Sequence, residues 1–95
     1  MPVSTTISPH WLCPDLREYW MLGRDRTSGT YYLKARTSDH RYLLSDAESY
    51  ALSHFSGRFT VAQIQRLCER ELDDVPSDFI QCLWQKLVHW GVLCL

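Results

Sequence analysis

The side chains able to do chemistry are few and stand apart. His10, His40, His54 and His89 are isolated from one another, and Cys13, Cys68, Cys82 and Cys94 are separated by gaps too wide for any CxxC pair. Zinc needs closely spaced Cys and His donors, so no metal-ligand motif is present, and each cysteine reads first as a core thiol. Cys68 beside a spatially near histidine would be a nucleophile, but it falls on an apolar helical stripe, where thiols are inert. Asp46 and His54 are too far apart along a helix for a direct pair, and Ser45 beside them does not complete a triad. The adjacent carboxylates Asp73 and Asp74 precede a proline turn, where solvation is their ordinary role. Gly23, Gly29, Gly57 and Gly91 are scattered, which leaves no glycine-rich loop to cradle a phosphate. The expectation is a protein that is not an enzyme and uses no metal or cofactor.

What the composition favours instead is recognition. A chain of 95 residues makes one domain with a modest core. Its 45% hydrophobic and 22% charged residues are ordinary folded values. Four Trp, five Tyr and three Phe exceed what so small a core needs and suggest a binding surface. A net charge of −1 argues against a general polyanion binder. The charges are uneven, however: residues 17–41 are basic and residues 42–95 acidic, so the first half favours an acidic partner. Residues 1–10 have neither the basic start nor the apolar stretch of a secretory signal, and no segment approaches a membrane span. A cytoplasmic protein with free thiols and no membrane insertion is expected.

The elements that must build such a surface follow from periodicity. Residues 1–18 read as a flexible or docked lead, with Trp11 and Leu12 lying on the body formed by residues 19–95. Aromatic-rich stretches at residues 19–22, 30–35 and 41–44, joined by polar links, predict an antiparallel three-stranded meander. Ser45 or Asp46 caps a helix running to about Phe55 and ended by Gly57. Thr60 caps a second, with Gln63 completing a capping box and Val61, Ile64, Leu67, Cys68 and Leu72 forming its stripe. Asp73–Pro76 breaks that helix, and a third spans residues 78–90. Val92–Leu95 reads as a final short strand or an apolar tail. The fold class is α+β, a small winged-helix-like domain in the order β-β-β-α-α-α.

The third helix carries more apolar surface than one buried stripe needs: Phe79, Ile80, Leu83, Trp84, Leu87, Val88 and Trp90. Either it is buried on two sides, or part of it lines a groove. As a DNA-reading helix it is poor, since Lys86 is its one phosphate contact beside Gln81 and Gln85, and no wing hairpin follows. Nucleic acid is not the expected partner.

From Tyr19 to Leu93 the chain resembles the PqqD-like family, the peptide-recognition elements of ribosomal peptide maturation. The resemblance rests on the strand Arg41-Tyr42-Leu43-Leu44-Ser45, the helix with Tyr50, Leu52 and Phe55, and the turn Phe55-Ser56-Gly57-Arg58-Phe59-Thr60 into the second helix. It also rests on the closing pattern Leu83…Leu87-Val88…Gly91-Val92-Leu93. Ser56 stands where the family commonly has an aspartate. The resemblance implies a non-catalytic adaptor that takes a precursor or leader peptide as an added strand on the third strand, packed against the third helix. It implies delivery to a partner maturation enzyme, protease or transporter. Arg41–Leu44 would then be the pairing edge, with Tyr42, Phe79, Leu83, Lys86, Leu87 and Trp90 as walls. Arg36, Arg41 and Lys86 would favour an acidic leader. The other class left open is a docking or regulatory domain of a larger assembly. On the chemistry side, metal analysis of protein purified without added metal is expected to find no stoichiometric zinc, and finding it would overturn the reading of the cysteines as core thiols.

Overall fold

Three strands precede three helices: β1 (Trp20–Arg24), β2 (Tyr31–Ala35), β3 (Tyr42–Leu44), α1 (Asp46–Leu52), α2 (Val61–Glu71) and α3 (Phe79–His89). They are seen in a computed structural model that describes residues 7–94. The sheet is antiparallel with β2 in the centre, and its register sets Leu33 opposite Leu22 on one side and Tyr42 on the other. Because side chains alternate across a strand, Leu22, Tyr31, Leu33, Tyr42 and Leu44 share the face turned to the helices. Leu33 and Leu44 are buried there. Met21, Gly23, Tyr32, Lys34 and Leu43 share the other face. On it a Cβ at Gly23 would sit 2.4 Å from the Tyr32 ring, so the missing side chain is what lets that ring cross its neighbour strand. The Arg41 guanidinium lies 4.3 Å from the same ring's centre and 3.7 Å from Asp25.

The helices start where their sequence caps them. Ser45 Oγ accepts the Glu48 N–H while the Glu48 carboxylate accepts the Ser45 N–H, and Thr60 and Gln63 repeat the arrangement on α2. α3 lacks such a cap, because the Asp78 side chain accepts no main-chain N–H of its first turn. Gln65 of α2 substitutes: its side-chain oxygen accepts the Ile80 N–H at 2.9 Å, and its amide donates to the Pro76 carbonyl at 2.7 Å. Ile64 and Cys68 of α2 meet Ile80, Leu83 and Leu87 of α3 in a core with Ala51, Leu52 and Phe55. No helix among the described residues is long and apolar enough to cross a membrane.

One detail differs from the sequence expectations, and two alternatives left open there take one form each. α1 stops at Leu52, and Phe55 is buried from the turn that follows rather than from the helix. Residues 92–94 form no strand: the Val92 and Leu93 N–H groups both donate to the Leu87 carbonyl, folding the chain back on α3 past Gly91 at φ 80°. Leu95 lies outside the described residues. The lead takes its docked form over residues 7–18, while residues 1–6 lie outside the described residues. Cys13 N–H donates to the Phe59 carbonyl and Gly57 N–H to the Cys13 carbonyl, each at 2.8 Å, and Val61 and Ala62 donate to Trp11 and Pro9. Ile7 and Cys13 are buried in the same core as the helices, and Trp11 lies 5.6 Å from Trp84, ring centre to ring centre.

Gly57 makes this docking possible. Its φ of 81° is in the left-handed region, and it directs the N–H that holds Cys13. Gly57→Ala meets no close atom, so its cost is conformational, about 1 kcal/mol. The variant is expected to melt below wild type, and equal melting would remove the argument.

Candidate functional site

The open edge of the sheet is defined by parity. Along an antiparallel strand, alternate residues turn their main-chain groups to opposite neighbours. Asp25 N–H bonds the Thr30 carbonyl and Arg36 N–H the Tyr19 carbonyl, so the even residues of β2 face β1 and Tyr31 and Leu33 face β3. Their partners Leu44 and Tyr42 therefore spend their main-chain groups inward. Leu43 turns its N–H and C=O outward, and no main-chain group of another described residue bonds them. Its side chain is 68% exposed. The next N–H along the chain, Ser45, is taken by Glu48.

Beside that edge stands the end of α3. Tyr42 stacks on Trp90 with ring centres 4.6 Å apart and planes 19° from parallel, and its hydroxyl reaches the Trp90 carbonyl at 3.4 Å. His40 meets Tyr42 edge-on at 4.6 Å, with Trp20 on the same ring at 6.4 Å. Aromatic pairs of this kind contribute beyond their buried area. Lys86 lies 5.8 Å from the Trp90 ring and donates to Glu48 Oε2 at 2.6 Å. Glu48 is 8% exposed and its other oxygen accepts the Ser45 N–H at 2.8 Å. Burial opposes the charge on that carboxyl, but the Lys86 and Ser45 hydrogen bonds outweigh it and hold Glu48 below the ordinary glutamate range.

The expected site residues divide accordingly. Tyr42, Lys86 and Trp90 are brought together, with the outward main chain of Leu43 next to Tyr42. Leu83 and Leu87 are not walls of a groove: at 2% and 0% exposure they are core, and Leu44 of the expected edge, 5% exposed, is core with them. Leu83 and Leu87 are one turn apart on the inward stripe of α3, and Leu44 is on the helix-facing side of β3. Phe79, partly buried against the core, starts α3 about 16 Å along the axis from Trp90. Arg36 donates to the Arg17 carbonyl at 2.8 Å, and Arg41 lies over Tyr32 on the far face of the sheet. Lys86 offers less charge to an acidic ligand than expected, since Glu48 already answers it. The sequence reading missed His40 and Glu48. The Ser45-x-x-Glu48 spacing marks a capping box, whereas nothing in the sequence joins Glu48 to a lysine on α3.

Burial pushes the Cys13 thiol up to about 12 and, with the Glu69 charge adding, the Cys68 thiol up to about 11. Neither is a thiolate at neutral pH. Cys82 and Cys94 are exposed. Among the described residues no group of three or more His, Cys, Asp or Glu side chains is placed to hold a metal ion. Comparison with protein-family models, curated proteins and solved structures finds no match to this chain.

Two variants test the Glu48 bridge. Lys86→Met leaves a buried carboxylate short of a partner and is expected to cost about 1 to 3 kcal/mol. The pH dependence has a fixed sign. A carboxyl lowered in the folded state stabilises fully above the ordinary glutamate range, and that stability is lost as pH falls through the lowered value. Glu48→Gln removes this titration, so its melting temperature is expected to fall less steeply with acid than that of wild type. Parallel acid profiles would show that the bridge does not couple to folding.

Proposed function

We propose that the chain is a non-catalytic peptide-capture module that takes an extended, acidic segment along β3 and presents it to a maturation enzyme or transporter in the cytoplasm. The observation that supports this reading is the outward-facing N–H and C=O of Leu43, left without a main-chain partner beside the half-buried Tyr42–Trp90 stack. An edge strand pairs with any extended backbone, and adjoining side chains supply the choice. Arg41, exposed two residues before Leu43 on the face that Leu43 shares, favours acidic side chains on the incoming segment. The PqqD-like resemblance points the same way. Lys86, the one cation α3 has to offer within reach of this edge, is bonded to Glu48, which weighs against a nucleic-acid role.

A docking or regulatory role has its own supporting surface. The other edge strand, β1, borders a cleft of about 500 Å³ lined by Leu22, Tyr31, Tyr50 and Leu72, with Arg24 and Asp46 at the rim. A partner protein held there would leave β3 untouched.

Peptides selected from a displayed random library against the whole chain supply the probe. Proline deletes an N–H, so its effect must follow parity. Leu43→Pro is expected to keep the circular dichroism of the wild type and weaken the selected peptide about tenfold. Tyr42→Pro and Leu44→Pro are expected to damage the sheet itself. A folded Leu43→Pro variant that binds normally would rule out strand addition at β3.

A further inference from the structure

A second site lies where the N-terminal arm crosses the α1–α2 loop, and it shares no residue with the β3 edge. The cleft there measures about 590 Å³ and is walled by Arg17, Arg58, His54 and Ser56, with Phe59 beside them. Arg58 makes no hydrogen bond or ion pair to another described residue, so its planar fork of donors is unspent. Ser56 Oγ is buried with no hydrogen-bond partner among the described residues, a costly condition for a hydroxyl. His54 places Nδ1 2.9 Å from the Tyr50 carbonyl. A carbonyl only accepts, so Nδ1 carries the ring proton and spends it on Tyr50, which leaves His54 as a wall of the cleft.

The one acidic group in the cleft does not cancel these donors. Asp15 accepts the Arg17 Nε–H at 2.9 Å, the Arg17 Nη2–H at 2.6 Å and the Arg17 main-chain N–H at 2.9 Å. That pair closes on itself and leaves Arg58 as uncompensated charge. The Tyr50 carbonyl nearby is also answered, since Ser53 Oγ and His54 both bond it. The loop is held in place by the arm through Gly57 N–H to the Cys13 carbonyl and Cys13 N–H to the Phe59 carbonyl. The donors are thus on a braced frame, which lowers the ordering cost of binding.

We infer that this cleft binds a phosphate monoester, with Arg58 in bidentate contact, Ser56 as a further donor, and Phe59 against the organic part of the ligand. A phosphate monoester carries about −1.5 to −2 charges at neutral pH on three strong acceptor oxygens, which suits the unspent donors of Arg58 and Ser56 in one cleft. A carboxylate offers fewer acceptor oxygens and one charge. Phe59, 39% exposed, gives the ligand's carbon skeleton an apolar surface.

The test is amide and side-chain NMR of the whole chain titrated separately with inorganic phosphate and with O-phosphoserine at constant ionic strength. Shifts confined to residues 53–59 and Arg17, weakened about tenfold in Arg58→Gln and less in Arg58→Lys, are expected. Tighter binding of O-phosphoserine than of inorganic phosphate is expected, and equal binding would overturn the assignment of a monoester whose organic part rests on Phe59. Arg58 has no partner to lose among the described residues, so Arg58→Gln is expected to keep the wild-type melting temperature. No shifts with either probe, shifts centred elsewhere, or binding indifferent to Arg58→Gln would each overturn the inference. Leu43→Pro is expected to leave the titration unchanged, so failure at one site is distinguishable from failure at the other.

Discussion

The bridge centred on Glu48 is the contact on which the arrangement of β3, α1 and α3 depends. One carboxylate caps α1 by accepting the Ser45 N–H and holds Lys86 of α3 with its second oxygen. Ser45 follows directly on β3, so the end of the strand, the start of α1 and the last turns of α3 are tied at one residue. The Tyr42–Trp90 stack is the apolar counterpart of the same junction. Burying a charge is costly unless it is paired and hydrogen-bonded, and this one is both. The geometry of the edge beside it follows: Ser45 N–H is consumed, Tyr42 and Leu44 turn inward, and Leu43 is left to face outward.

The N-terminal arm docks on the α1–α2 loop and the start of α2. Its main chain forms four hydrogen bonds with residues 57–62, and Ile7 and Cys13 complete the core. A small domain buries a modest fraction of its surface, so a segment that adds two buried side chains and covers Trp84 matters to the whole. The arm also braces the α1–α2 loop, where the unspent donors Arg58 and Ser56 are found. Strand edge and cleft are therefore positioned by different contacts.

Much of the fold was legible in the sequence. Element order came from a switch of periodicity, from aromatic-rich stretches to the stripes of α2 and α3, and Thr60 with Gln63 marked the start of α2. The end of α1 was not legible, because Phe55 has helical spacing yet is buried from a turn. Nor was the tail: Val92 and Leu93 look strand-like until Gly91 turns them back on Leu87. Of the candidate site, Tyr42, Leu43, Lys86 and Trp90 were found because edge and helix end were placed correctly. Leu83 and Leu87 were misassigned because a wide apolar face does not reveal which side enters the core. Glu48 and Lys86 are bonded across 38 residues, a separation that no local pattern reports.

The central claim is that an incoming segment pairs with β3 through the outward groups of Leu43. Site-resolved amide exchange tests it without altering the chain. In the free protein Leu43 should exchange fast while Tyr42 and Leu44 are protected by β2. With a selected peptide bound, Leu43 should become protected and its neighbours should change little. If Leu43 exchanges as fast in the complex as in the free protein, the peptide does not add to this strand.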